Sequence, residues 1–215
     1  MRFITLYNIL LKKYGKQGWW PAETRLEVIV GAILTQNTAW RNVEKSINNL
    51  KKEKMIDLKK LAEAPEKRIA FLIKPAGFFN QKAKRLKKIC KYLEENYVDL
   101  NAFFKKPTKT LRKELLALKG IGPETADSIL LYAGNHLIFV VDAYTKRILE
   151  RLGITEQENY EKIQEMFHEQ LPRRLEVFKE FHALFVEHAK KYCKKKPLCS
   201  KCFLNKECEY FKGNI

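Results

Sequence analysis

Apolar residues recur through this chain with the period of an α-helix, and that regularity does most to narrow what it can fold into. Leu26, Ile29, Val30 and Ile33 follow the i, i+3, i+4, i+7 spacing of one buried helical face. Leu86, Ile89 and Leu93 repeat the pattern, with Lys84, Arg85, Lys87, Lys88 and Lys91 on the remaining faces. Leu111, Leu115 and Leu118 mark another helix, stopped by Gly120. Pro123 suits the first turn of the next, whose apolar face is Ala126, Ile129, Leu130 and Ala133 before Gly134. The opening MRFITLYNILLKKYGK reads as an amphipathic helix, and Val177, Phe181, Leu184, Phe185 and His188 as a late one. Thr155-x-x-Glu158 has the form of a capping box. Leu137–Val141 could pass for a buried strand, but it is short and isolated. The expected fold is all-α.

Charge limits the partners. The chain has 215 residues with 42 Lys+Arg against 25 Asp+Glu, a formal charge of +17. That length suits one large domain or two small ones with a proper core. At 46% hydrophobic it is a folded body carrying basic charge, not a disordered polycation. Such an excess points to an anionic polymer or a membrane surface. The longest apolar stretches, Val28–Leu34 and Leu137–Val141, are too short to span a bilayer. No signal-peptide cleavage pattern follows the N-terminus. The expectation is a cytoplasmic protein, nucleoid-associated in a prokaryote, with no membrane partner.

The cysteines add a second constraint. Cys90 falls in a helical pattern and reads as a small core residue. Cys193, Cys199, Cys202 and Cys208 crowd the end of the chain, and in a reducing compartment such a cluster binds metal. Four thiolates suit either a structural zinc or a [4Fe–4S] cluster. Zinc ribbons usually pair two Cys-x2-Cys knuckles, and here there is one. Lys194, Lys195, Lys196 and Lys201 lie within the loop and would add phosphate contacts.

Between these landmarks lies Leu118-Lys119-Gly120-Ile121-Gly122-Pro123-Glu124-Thr125-Ala126, a helix, a Gly-x-Gly turn and a helix. The glycines permit a tight turn and close approach to another chain. The second helix begins with free N–H groups, a natural phosphate seat. A plain αα-hairpin joining two core helices would use the same residues. Downstream, Val141-Asp142-Ala143-Tyr144-Thr145 places a carboxylate where an N-cap belongs, a role worth ~1 kcal/mol by itself. A functional carboxylate held at that helix start is compatible with the capping role.

The segments LKGIGPETADSIL and VVDAYTKRILERLG, with the tail Cys-x5-Cys-x2-Cys-x5-Cys, resemble the endonuclease III superfamily of DNA glycosylases, from about Trp19 to Cys208. Within it, Trp19-Trp20-Pro21, GAILTQNTAW at 31–40, GFFNQKAKRL at 77–86 and the hairpin with Glu124 are most similar to the 3-methyladenine DNA glycosylase III branch. The resemblance implies a two-domain helical fold with a helix-hairpin-helix motif. A six-helix barrel would cover 21–133, with the hairpin at about 111–133. A second domain would join 1–20 to 134–215 and hold an iron–sulfur loop at 193–208. The DNA site would lie in the cleft between them. The usual family spacing of the cysteines is Cys-x6-Cys-x2-Cys-x5-Cys, one residue longer in the first interval.

The resemblance also implies roles. The protein would act, as a monomer, on double-stranded DNA containing a damaged base, flipping the nucleotide and hydrolysing its glycosidic bond. Asp142 matches the catalytic aspartate. Glu124 stands where lyase members carry their Schiff-base lysine, which implies a monofunctional enzyme that uses water and leaves an abasic site; the likeness to the 3-methyladenine branch implies release of alkylated purines such as 3-methyladenine. Lys119 and Lys146 are near in sequence, but neither matches that lysine. Trp19, Trp20, Pro21 and an aromatic at Trp40 would wall the base pocket; by themselves the tryptophans read as core. Gln36 would fill the vacated place in the duplex and Phe78 would wedge the opposite strand, where a polar helix cap and core packing are the plainer readings. Gly120, Gly122, Thr125 and Lys82 would touch the DNA backbone, Lys82 otherwise belonging to a solvated face. Cys193, Cys199, Cys202 and Cys208 would hold a [4Fe–4S] cluster, with zinc the alternative. Other functions on the same residues are a glycosylase for thymine mismatches or oxidised pyrimidines, a non-catalytic DNA-binding module, and an iron–sulfur redox sensor.

Overall fold

The computed structural model describes residues 1–213. Its α-helices are α1 (Phe3–Tyr14), α2 (Arg25–Leu34), α3 (Trp40–Lys52), α4 (Leu58–Glu63), α5 (Glu66–Leu72), α6 (Phe79–Asn96), α7 (Leu100–Phe104), α8 (Thr108–Leu116), α9 (Pro123–Ser128), α10 (Ala143–Arg151), α11 (Tyr160–Gln170), α12 (Leu175–Lys191) and α13 (Glu209–Lys212). Among the described residues there is no strand, and no helix is long and apolar enough to cross a membrane. The chain divides into two compact units: Trp20–His136, and Met1–Trp19 joined with the chain from Leu137 onward.

In the unit Trp20–His136, α2 is the central element. The sequence marks one apolar face on it, yet the helix is buried on nearly every side, Leu26 and Ile29 through Leu34 included. Neighbours surround it: α3, α6, α9 and the turn that follows α9. That turn, Ile129–Ala133, is wound as a π-helix and ends at Gly134. Cys90 lies wholly buried on α6, as the sequence suggests.

The other unit is organised around phenylalanines. Phe139 and Phe167 stack with ring centroids 3.7 Å apart, and Phe3 of α1 stacks on Phe167 at 4.2 Å. Phe178, Phe181 and Phe185 of α12 close around them, all fully buried. The apolar run Leu137–Val141 is extended but unpaired with any strand. Its backbone is satisfied instead by side chains of α11: the Phe139 N–H donates to His168 Nε2 (3.1 Å) and the Val141 N–H to Tyr160 Oη (3.3 Å).

One expectation is corrected. Thr155-x-x-Glu158 does not open a helix. Helix α11 starts at Tyr160, capped by Asn159, whose Oδ1 accepts the Lys162 N–H at 3.0 Å. Thr155 Oγ1 takes the Gln157 N–H in a local turn. Starting the helix later aligns Ile163 and Phe167 with the core.

Because Phe167 is stacked on both sides and wholly buried, Phe167→Ala should cost about 3–5 kcal/mol in denaturant unfolding. A loss below about 1 kcal/mol would show that the stack is not the core of this unit.

Candidate active site

The Gly-x-Gly turn joins α8 to α9. Gly120 has φ +93°, and a Cβ there would meet the Arg85 side chain at 2.5 Å, so both conformation and space call for glycine. Gly122 caps α9 and has open space before it. Glu124, in the first turn of α9, is exposed.

Gln36 is tied to this hairpin. Its Nε2 donates to the Gly120 carbonyl (3.2 Å) and to Thr125 Oγ1 (2.9 Å), while its Oε1 accepts from Arg85 Nη1 (2.6 Å). The Thr125 hydroxyl is therefore a buried partner of Gln36. Phe78 does project: it is 65% exposed and held at φ +46°, an uncommon conformation for a bulky residue. Core packing is excluded for it.

Lys82 is the clear departure from expectation. It is 1% exposed and donates to the carbonyls of Leu34 (2.9 Å) and Ala76 (2.8 Å), so it is not a phosphate contact. Leu34 ends α2, whose last carbonyls lack intrahelical donors; a buried ammonium supplies one. The same ammonium holds the turn just before Phe78, so it braces the segments that carry Gln36 and Phe78. Burial, with Arg85 adding to it, pushes the Lys82 ammonium down to about 8.

An aromatic group lies at the other end of α2's sequence neighbourhood. Trp20 rests on Gly31, where a Cβ would come within 3.0 Å of its Nε1. Trp40 meets Trp20 edge-on at 5.3 Å, and Tyr132 lies 5.2 Å from it. Trp40 is fixed through Nε1 donating to Glu44 Oε1 at 2.9 Å. Pro21 is exposed beside Trp20. Tyr132 escaped the sequence reading because the helical period puts it off the apolar face; the π turn redirects it.

Asp142 and Trp19 belong to the other unit. Asp142 is buried and caps α10, its Oδ1 accepting the Thr145 N–H (2.7 Å) and hydroxyl (2.8 Å). Burial raises its carboxyl pKa, but His182 and the Thr145 donors outweigh it and hold the group below the usual carboxylate value. Trp19 stacks on His182, centroids 5.8 Å apart. Lys146 is turned to the Glu158 carbonyl at 2.6 Å.

Helix α10 also reaches the cysteine loop. Arg147 Nε donates to the Cys193 carbonyl at 2.9 Å, and Arg151 to the carbonyls of Lys194 and Lys195. Arg151 Nη1 lies 3.4 Å from Cys193 Sγ. Cys193, Cys199, Cys202 and Cys208 line one cavity, with Ile148, Leu152 and His188. Among the described residues no three His, Cys, Asp or Glu side chains gather closely enough to hold a single metal ion.

The two helices joined by the Gly-x-Gly turn form a helix-hairpin-helix, and a buried aspartate caps the helix that follows. Residues 30–173 match the profile of the HhH-GPD superfamily base excision DNA repair proteins, and the chain belongs to that family. It is accordingly a DNA repair glycosylase. It is 55% identical over 206 residues, 94% of each chain, to a Methanocaldococcus jannaschii protein assigned as a DNA repair glycosylase. It is 31% identical over 186 residues to endonuclease III of Thermotoga maritima, covering 86% of this chain and 83% of that one. Among solved structures, it is similar to Helicobacter pylori 3-methyladenine DNA glycosylase bound to 1,N6-ethenoadenine. That similarity has a TM-score of 0.80 and 32% identity, over 89% of this chain and 98% of the other.

Lys82 offers a test of the local electrostatics. Its pKa is about 8 in the folded chain against 10.5 for an unperturbed lysine, so between those values the folded chain binds fewer protons than the unfolded one. Stability therefore rises as pH rises through that window. The wild type should gain on Lys82→Met from pH 8 to 10.5 in urea melts; parallel curves would show that the ammonium is not desolvated.

Proposed function

We propose that this protein is a monofunctional DNA glycosylase for alkylated purines, 3-methyladenine foremost. The observation that carries the reading is the aromatic group of Trp20, Trp40 and Tyr132, with Trp20 laid on Gly31. Alkylation at N3 of adenine makes the base cationic and weakens its glycosidic bond. An indole face favours such a cation over a neutral base by ~1–2 kcal/mol when desolvated. The bond's own lability supplies further selectivity. The likeness to the H. pylori enzyme supports the same assignment.

The damaged base must leave the stack before its bond can be reached. Exposed Phe78 is suited to wedge between bases, and Gln36, anchored on the hairpin, to enter the vacated position. Insertion offsets part of an unstacking cost of a few kcal/mol. The Gly120–Gly122 turn meets the DNA backbone, and Lys82 supports these groups from within. Asp142, kept ionised, stabilises positive charge developing on the sugar as the base departs and orients or deprotonates water. Glu124 cannot form a Schiff base, so the product is an intact abasic site.

Cys193, Cys199, Cys202 and Cys208 are suited to a [4Fe–4S] cluster. They line one cavity together, and the single Cys-x2-Cys step between Cys199 and Cys202 departs from the paired knuckles of a zinc ribbon. These four thiolates would hold the [4Fe–4S] cluster, which would cross-link the loop. Arg147 and Arg151 hold that loop on α10 through its carbonyls.

Incubated with methylated duplex DNA, the wild type should release 3-methyladenine on chromatography. Asp142→Asn should release none while still binding duplex, and borohydride should trap no covalent complex. Release of thymine or oxidised pyrimidines alone would replace this reading with an endonuclease III-like one; binding without any release would leave a DNA-binding module. Purified anaerobically, the protein should be brown and absorb near ~400 nm. A colourless protein with one zinc per chain would sink the cluster assignment.

A further inference from the structure

His182, on the buried face of α12, is a residue that the sequence did not single out. Its Nε2 stands 3.5 Å from Asp142 Oδ2, and its ring lies nearly parallel to Trp19, 13° between planes. Both His182 and Asp142 are buried. Thr145 takes Asp142 Oδ1 twice, through its N–H and its hydroxyl. His182 stands at the other oxygen.

We infer that His182 is a positioning residue for Asp142, holding the Oδ2 edge of the carboxylate through Nε2 while Trp19 holds the imidazole ring. This rests on the reading of Asp142 as the group that faces the cationic sugar. A carboxylate held at one oxygen only can swing about its Cβ–Cγ bond; one held at both presents a fixed edge. The separation is long for a hydrogen bond, as contacts at catalytic groups often are before the substrate tightens them. The imidazole N–H also favours the ionised carboxylate against the penalty of burial. Trp19 thereby has a use distinct from stacking on a base: it fixes the plane of the ring that addresses Asp142.

Other charged and titratable groups surround the pair. Lys179 lies one turn before His182 on α12, and Lys190 Nζ sits 5.4 Å over the Trp19 ring. Glu180 accepts the Gln17 N–H, Lys146 is engaged by the Glu158 carbonyl, and Tyr160 Oη takes the Val141 N–H. None of these groups is itself altered when His182 alone is substituted, and every His182 variant is compared in the same surroundings.

The test uses duplexes carrying a cationic pyrrolidine in place of the sugar, compared with a neutral tetrahydrofuran, so that no assumption about the damaged base enters. Binding is measured between about pH 3 and 7, the range in which carboxylates titrate. The wild type should prefer the cationic duplex, and Asp142→Asn should lose that preference at every pH. His182→Phe keeps a ring against Trp19 but no N–H; its preference should fade, as pH falls, at a higher pH than the wild type's. His182→Gln, which restores an N–H donor, should move the profile back toward the wild type. His182→Ala serves the same comparison if the phenylalanine variant does not fold. A His182→Phe profile superposed on the wild type's would overturn the inference while leaving Asp142 in its role. An Asp142→Asn protein that kept the preference would overturn the reading of Asp142, and the inference with it.

Discussion

A buried carboxylate has to be matched by donors, and much of the unit formed by the N-terminal helix and the chain from Leu137 onward follows from that demand at Asp142. Taken from water without partners, the group would simply protonate. Here the first turn of α10 and the Thr145 hydroxyl take one oxygen, and α12 brings His182 to the other. The approach to α10 is the extended run Leu137–Val141, buried among phenylalanines and satisfied by side chains of α11. The same helix, two turns on, holds the cysteine loop through Arg147 and Arg151. Anchoring the loop and orienting the carboxylate are thus two consequences of fixing one short helix.

The unit Trp20–His136 solves a different problem, that of presenting projecting side chains from a rigid base. Central helix α2 ends in carbonyls that need donors, and Lys82 supplies one from inside the protein. The charge is costly to bury, which is why its ammonium titrates low. In exchange it links the end of α2 to the turn before Phe78. Gln36 is braced by the hairpin and Arg85, and Phe78 stands exposed in a strained backbone conformation. Near the start of the unit, the absence of a side chain at Gly31 lets Trp20 come close against α2, with Trp40 and Tyr132 around it.

Helical period, the glycine turn, Pro123 and the position of Asp142 before Ala143 were legible in the chain because each is a local matter. Periodicity reports a buried face, glycine a permitted φ, and an N-cap a carboxylate three residues from its donor. The failures share a cause as well. Thr155-x-x-Glu158 satisfied a local rule but lost to Asn159, whose later start aligns Ile163 and Phe167 with the core. The short, isolated run Leu137–Val141 was legible as no strand, but that side chains of α11 would satisfy its backbone was not.

What the sequence determined by itself is the all-helical architecture, the hairpin and the capping carboxylate, all set by residues within a few positions of one another. Tertiary structure alone decided that Lys82 faces inward, that Gln36 is bonded to the hairpin, and that Tyr132 joins the tryptophans through a π turn. It alone placed His182, far downstream on α12, beside Asp142. Such pairings depend on how helices distant in sequence pack, and a lysine or histidine carries no local mark of which carbonyl or carboxylate it will meet.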